Sequence, residues 1–155
     1  MLLDAVTVSQ KLTELGIPHA LVGGLAVGLY GHPRATKDVD LLVQDSAFEM
    51  TEPFLVFRDE LKDVIQVGVV DLLAVPKTRP VLGELLRAPT EGGVPVIPLA
   101  ALVLMKLDAS RPQDLADIHR LLDAGADAES IGSFLAEHAA DVSDIYAALL
   151  DSRST

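Results

Sequence analysis

Hydrophobic positions near the start of the chain recur with the spacing of one helix face. Val8, Leu12 and Leu15 follow an i, i+4, i+7 pattern, which predicts an amphipathic helix over residues 2–15. Gly16 comes directly after the last apolar position, where a glycine in the left-handed conformation ends many helices. The first element is therefore a helix.

Two apolar segments with a glycine pair between them follow this helix. Residues 19–22 predict a short strand, Gly23-Gly24 interrupts it, and residues 25–30 predict a short helix. The run of Val and Leu over residues 39–43 predicts a second strand after a connecting loop. The order of strand, glycine pair, helix and strand indicates a small α/β unit.

The middle of the chain carries a weaker pattern. Residues 54–57 predict a strand, residues 59–65 fit either a helix or a turn, and residues 67–75 predict a clear strand. Proline, glycine and charged residues dominate 76–93, which indicates a loop, and residues 94–97 predict a short edge strand.

From Pro98 onward the spacing is helical. The predicted helices cover residues 98–108, 112–125, 128–139 and 141–151. The predicted fold class is α/β to α+β, with a small mixed β-sheet core flanked by helices and a C-terminal helical bundle. We expect residues 1–97 to form the core and residues 98–155 to pack on it in one compact domain.

Composition excludes several classes of protein. Half of the 155 residues are hydrophobic and only 4% are aromatic, so Leu, Val, Ile and Ala must form the core. The absence of cysteine excludes disulfides and thiolate metal sites. No apolar run approaches the roughly 20 residues of a spanning helix, and the first residues lack the basic start of a secretory signal. We expect a soluble, cytoplasmic protein.

The net charge of −11 disfavours general binding to nucleic acid, which depends on neutralising phosphates with Lys and Arg. A local basic strip is still present, because Arg34 and Lys37 stand just before a pair of acidic residues. That pair, Asp38-Val-Asp40, opens the second strand. Residues two apart in a strand share a face, so the two carboxylates can bracket one cation.

Two carboxylates on one face repel each other unless a cation stands between them. Magnesium is commonly held by one or two carboxylates together with substrate phosphates. Taken alone, Asp38 and Asp40 fit an ordinary acidic start to a strand better than a metal site. Gly23-Gly24 fits a tight turn, but also a backbone that approaches a phosphate closely at the start of a helix.

A third acid lies inside an apolar strand. Asp71 interrupts the run Val-Val-Asp-Leu-Leu, where a carboxylate is costly without a partner. On a strand beside the second one it would join Asp38 and Asp40, either as general base toward a hydroxyl or as ligand to a second metal. The alternative is an exposed acid on an edge strand.

Together these features resemble the nucleotidyltransferase superfamily that includes DNA polymerase β-like enzymes, over about residues 17–75. The stretch from Leu21 to Val43 (LVGGLAVGLYGHPRATKDVDLLV) is especially similar to the AbiEii-type branch, known from toxin–antitoxin and phage-defence systems. Many members have Ser directly after the turn glycine. Here Leu25 follows Gly24, so backbone donors would have to hold the phosphate.

The resemblance implies a set of site residues. Asp38, Asp40 and Asp71 would be catalytic and would hold Mg²⁺ or Mn²⁺, and the residues at the nucleotide would include Gly23, Gly24 and Lys37. In the helical half this branch is similar too, with a helix lysine followed by an Asp-x-x-Asp that opens the next helix. By that resemblance Lys106 would contact phosphate, and Asp114 or Asp117 would orient Lys106 or touch the nucleotide.

Residue types alone give plainer roles to this second group. Lys106 shares a helix stripe with Leu99, Leu102 and Val103, yet a lysine near a helix C-terminus also fits a surface position. Acids at the start of a helix, as at 114 and 117, stabilise its dipole. The four histidines show no metal-ligand spacing and fit structural or surface positions.

The expected activity is transfer of a nucleoside monophosphate from a nucleoside triphosphate to an acceptor hydroxyl. Acceptors in the resembling family include transfer RNA ends, proteins and small molecules, and the sequence does not choose among them. One alternative is a metal- or nucleotide-sensing domain, and another is a weakly active or inactive module of the same fold that regulates another protein. An exposed apolar patch on the last two helices would favour it, with Ile131, Phe134 and Leu135 as candidates.

Overall fold

A computed structural model gives the fold of the chain. The described residues are 2–31, 33, 35–36, 38–51, 54–57, 59–61, 70–86 and 93–154, without the side chains of residues 2, 49–51 and 54–57. The chain forms two compact units. The first is Met1–Ala26 with Arg34–Ile97, and the second is Val27–Pro33 with Pro98–Thr155. Within the described residues no helix has the length and apolar character needed to cross a membrane.

The first unit opens with helix α1 (Leu2–Glu14). Gly16, two residues after the helix, has the left-handed conformation with φ +70°. The buried face of α1 carries Val8 and Leu12, as the apolar spacing predicts, together with Ala5, whereas Leu15 is half-buried in the turn after the helix. Strand β1 (His19–Val22) is buried along its whole length and runs directly into helix α2 (Gly23–Leu29). The second strand, β2, covers Val39–Val43, the predicted range.

A three-stranded mixed sheet organises this unit within the described residues, in the order β1-β2-β5, where β5 is Val70–Ala74. The central strand β2 runs antiparallel to β1 and parallel to β5. A single parallel bridge joins Leu21 to Val96, so the predicted edge strand over 94–97 is reduced to that bridge. A mixed sheet followed by helices confirms the predicted fold class.

A separate antiparallel hairpin lies between β2 and β5 in the chain. After a 3₁₀ turn (Asp45–Ala47), β3 (Phe48–Thr51) pairs with β4 (Phe54–Phe57). The sequence predicts β4 but not β3. Residues 59–61 are helical, whereas residues 62–65 of the predicted helix or turn, and 67–69 of the predicted strand, lie outside the described residues.

One predicted loop is partly wrong. Helix α3 (Pro80–Leu85) lies inside the segment 76–93, and it buries Val81 and Leu82. Proline at the first helical position is favourable because its missing N–H has no helical partner there anyway. The prolines and glycines of the segment concealed this short helix. Residues 87–92 lie outside the described residues.

The second unit is helical. Helix α4 (Leu99–Ala109) packs against α5 (Pro112–Asp123), α6 (Ala128–His138) and α7 (Ala140–Arg153). Asp127 caps α6 by accepting the backbone N–H groups of Glu129 and Ser130, both at 3.1 Å. Near the chain end, Arg153 ties α7 to α5 through Asp123 at 2.6 Å. All four predicted helices are present, with ends shifted by one or two residues.

Candidate functional site

Two of the predicted acids lie side by side on neighbouring strands. Asp40 of β2 and Asp71 of β5 are register partners in the parallel pair. Adjacent strands are about 4.7–4.9 Å apart and register partners point to the same face, so the two carboxylates are neighbours. Asp40 is half-buried, and Asp71 is exposed between the buried Val70 and Leu72.

The third acid, Asp38, stands immediately before β2 and is exposed. Its backbone carbonyl accepts a hydrogen bond from the hydroxyl of Thr36 at 3.1 Å, which fixes the approach to the strand. Asp38 is two residues from Asp40, the spacing that keeps side chains on one face of an extended chain. The described residues contain no group of three or more His, Cys, Asp or Glu side chains arranged to hold a metal ion.

The glycine junction lies against the Asp40 carboxylate. Val22, the last residue of β1, is the register partner of Asp40 on the other side of β2, so Gly23 follows directly beside it. Gly23 has φ +75°, and a Cβ built on it would overlap Oδ2 of Asp40 and lie 3.2 Å from its Cγ. Only glycine satisfies both the conformation and the space. Gly24, by contrast, is buried in the first turn of α2.

The basic residue predicted next to these acids cannot be placed. Lys37 lies outside the described residues, as does Arg34. The sheet site therefore consists, in the described part of the chain, of Asp38, Asp40, Asp71 and the backbone at Gly23.

The predicted residues of the helical half meet in a cluster inside the second unit. The ammonium of Lys106 lies 3.2 Å from Oδ1 of Asp114 and 2.9 Å from Oδ2 of Asp117. All three side chains are buried, with Asp114 and Asp117 only 1% and 0% exposed. Lys106 is thus an internal cation held by two carboxylates, which excludes the surface position that its place near a helix end also suggested.

Arg111, which the sequence analysis did not select, completes the cluster. Its guanidinium donates to Asp114 twice, from Nε at 2.7 Å and from Nη2 at 3.2 Å, and its backbone N–H donates to the same carboxylate at 3.2 Å. Asp114 is therefore also a cap of α5. An acid three residues after an arginine at a predicted helix start is the signal that could have identified Arg111.

The charge state of Asp114 follows from these contacts. Burial by itself raises the pKa of the carboxyl, but hydrogen bonds from Arg111 and Lys106 outweigh it and hold the pKa below its ordinary value of 3.8. Asp117 has Arg120 at 3.7 Å from Oδ1 in addition to Lys106. Two acids and the ammonium between them form a buried ionic network that depends on Lys106.

A buried polar pair that the sequence did not indicate joins α1 to β1. Ser9 Oγ lies 2.6 Å from Nε2 of His19, and Nδ1 of His19 lies 2.9 Å from the carbonyl of Ile17. A carbonyl only accepts, so Nδ1 carries the proton and Nε2 accepts from Ser9 in the neutral ring. Both residues are almost fully buried, which leaves this pair a structural role.

Two of the three candidate residues for an exposed apolar patch on the last two helices are buried. Ile131 and Leu135 are 1% and 0% exposed, because they lie on the face of α6 that packs within the helical unit. Phe134 is half-buried, and its ring centroid is 4.8 Å from that of His138. The exposed large apolar residue here is Ile145 of α7.

Comparison with known proteins does not identify this site. The sequence matches no protein-family model, and a search of curated proteins gives no significant match. Functional assignment therefore depends on the residues themselves.

Proposed function

We propose that the first unit binds a nucleoside triphosphate with a divalent cation and transfers its nucleoside monophosphate to an acceptor hydroxyl. The observation that carries the proposal is the register of Asp40 and Asp71 beside Gly23. Two neighbouring carboxylates beside a residue without a side chain are suited to a cation and its phosphates.

The donor set fits Mg²⁺ or Mn²⁺. Asp38 and Asp40 supply hard oxygen ligands, and phosphate oxygens would complete the coordination, as is usual for magnesium. The bound cation would neutralise charge on the phosphates and support departure of pyrophosphate. Two acidic side chains therefore suffice on the protein side, and a closed cluster of three is not required.

The chain's own residues would perform the remaining tasks. The absence of a Cβ at Gly23 leaves room for the Asp40 carboxylate, which would hold the cation. Asp71, beside Asp40, would accept the proton of the acceptor hydroxyl as its oxygen forms a bond to the α-phosphorus and the bond to pyrophosphate breaks. Positioning and charge stabilisation would account for most of the rate enhancement.

The acceptor remains open between a transfer RNA end, a protein and a small molecule, and the net charge of −11 disfavours a large RNA surface. A role in toxin–antitoxin or phage-defence systems rests on the sequence resemblance. We place the reaction in the cytoplasm, where triphosphates and magnesium are available.

Binding of each nucleoside triphosphate in the presence of Mg²⁺ is the first test. We expect the wild type to bind at least one triphosphate, and Asp40→Asn and Asp71→Asn to weaken binding or abolish transfer of an α-phosphate label. Glu14→Gln is the matched control, because Glu14 is an exposed carboxylate of the same unit, paired among the described residues with Lys11 at 3.7 Å.

Full activity in Asp40→Asn would refute the proposed mechanism. Triphosphate binding without transfer to any acceptor class would instead favour the alternative, an inactive module that regulates a protein partner. The cluster around Lys106 is tested separately, because loss of that residue affects folding as well as any contact with phosphate.

A further inference from the structure

A cavity of about 330 Å³ opens at the opposite end of the same two strands. Its lining comes from the residues that follow β2, Gln44 to Ser46, and from those that follow β5, Val75 to Lys77, with Pro80 and Gly83 of α3. It therefore lies at the carboxyl ends of two parallel strands, where open α/β sheets commonly bind ligands.

Several contacts fix the walls of this cavity. The amide of Gln44 donates to the carbonyl of Gly83 at 3.1 Å, which ties the end of β2 to α3. Val75 closes on the same glycine, since a Cβ at Gly83 would meet its Cγ1 at 3.6 Å. The turn after β5 is held by the Arg79 N–H, which donates to the Pro76 carbonyl at 3.0 Å. These contacts hold the backbone segments around the cavity together.

Two of the polar side chains that line the cavity carry opposite charges. Asp45 and Lys77 both line it, and neither forms an ion pair with any residue that the structure describes. The Ser46 hydroxyl is a third polar group, and Val75, Pro76 and Pro80 supply an apolar wall. A ligand that matches this lining needs a cation, an anion and a small apolar part.

We propose that this cavity binds a small zwitterion of the α-amino acid type. Its ammonium pairs with Asp45, its carboxylate with Lys77 and Ser46, and its side chain contacts the two prolines. A volume near 330 Å³ is at the small end of the range for ligand pockets, which suits a molecule of amino-acid size.

This site is separate from the carboxylates of the sheet. Gln44 follows Asp40 by four residues and Val75 follows Asp71 by four, a distance of roughly 13 Å along each strand. The inference therefore does not rest on the proposed nucleotidyl transfer and would stand if that proposal failed.

Thermal shift and calorimetry with the common α-amino acids test the proposal on the full chain. We expect at least one amino acid to raise the unfolding midpoint of the wild type, whereas its N-acetyl derivative and its decarboxylated amine do not. Asp45→Asn and Lys77→Gln should each weaken binding by about tenfold or more, the effect of losing one charged hydrogen bond.

Exposed charges of the same unit provide matched controls. Glu14→Gln and Lys11→Gln should bind the amino acid like the wild type, as should Asp71→Asn, which separates this site from the proposed nucleotide site. The proposal is overturned if no amino acid binds, if the singly charged analogues bind equally well, or if Asp45→Asn and Lys77→Gln retain full affinity.

Discussion

Replacement of Lys106 by methionine tests the buried ionic network directly. Methionine has a similar length and no branch, so it fills much of the same space, but it leaves the buried carboxylates of Asp114 and Asp117 without their shared cation. Removing one partner of a buried ion pair typically costs about 3–5 kcal/mol. For a chain of this size that loss lowers the melting temperature by roughly 6–20 °C.

Urea unfolding followed by helical circular dichroism measures this effect. Lys11→Met is the control, because it removes the same type of side chain from an exposed pair with Glu14, with side-chain exposures of 36% and 69%. That substitution should change the unfolding free energy by no more than about 0.5 kcal/mol. A loss of less than about 1 kcal/mol in Lys106→Met would refute the assignment of Lys106 as the cation of the network.

A second substitution examines the physical reason. Adding Asp117→Asn to Lys106→Met removes one of the two buried charges that lose their shared cation, so the double variant should recover a substantial part of the lost stability. No recovery in the double variant would mean that Lys106→Met acts through packing alone.

The same network makes stability depend on pH. In the wild type the pKa of Asp114 is depressed, so its contribution to stability is complete well above pH 3.8 and is lost as the pH falls through the lower pKa of the folded state.

Three further predictions follow from the described contacts. Gly23→Ala should lower the free energy of unfolding by about 1–3 kcal/mol, because Gly23 has a positive φ and an added Cβ would overlap with Asp40. Gly132→Ala in α6 should instead raise it by about 0.5–1 kcal/mol. Equal effects of the two substitutions in urea unfolding would contradict this contrast. Asp71→Asn should raise the stability of the cation-free protein by about 0.2–1 kcal/mol, because it removes the repulsion between Asp71 and Asp40. A melting temperature of this variant below that of the wild type, measured in a chelating buffer, would argue against that repulsion. Burial lowers the pKa of His19 below 6.5 despite its hydrogen bond to Ile17, so its contribution to stability should be complete above about pH 6.5 and fall on acidification. His19→Gln should make the unfolding free energy depend less on pH. An unchanged slope of unfolding free energy against pH would exclude His19 as the source of this dependence.

The local hydrophobic pattern was sufficient to predict an element where that element buries one clear face. The run over 39–43 predicts both ends of β2, and the apolar spacing of α1 identifies Val8 and Leu12 as buried. It was insufficient where stability comes from a partner distant in the chain. Strand β3 forms because β4 pairs with it, and α3 lies in a segment whose prolines and glycines read as a loop.

The candidate site shows the same division. The acids and Gly23 were identifiable from order and residue type, but only the register reveals that Asp71 faces Asp40 and not Asp38. Lys106 was predictable as an inward-pointing residue, and the family resemblance gave Asp114 or Asp117 as its partner. That both carboxylates contact the ammonium depends on how α4 and α5 meet. Ser9 and His19, ten residues apart, became a pair only through the packing of α1 on β1.

The assignment of Val27–Pro33 to the helical unit has a consequence for how the protein can be divided. The chain passes from one unit to the other at residues 26–27, 33–34 and 97–98, so neither unit is a continuous stretch of sequence. A fragment that begins at Pro98 would lack the segment whose Gly31 lies close to Ala124, at 3.6 Å from a built Cβ. A single crossover at residues 97–98 would therefore keep the first unit whole but separate the helical unit from its segment Val27–Pro33.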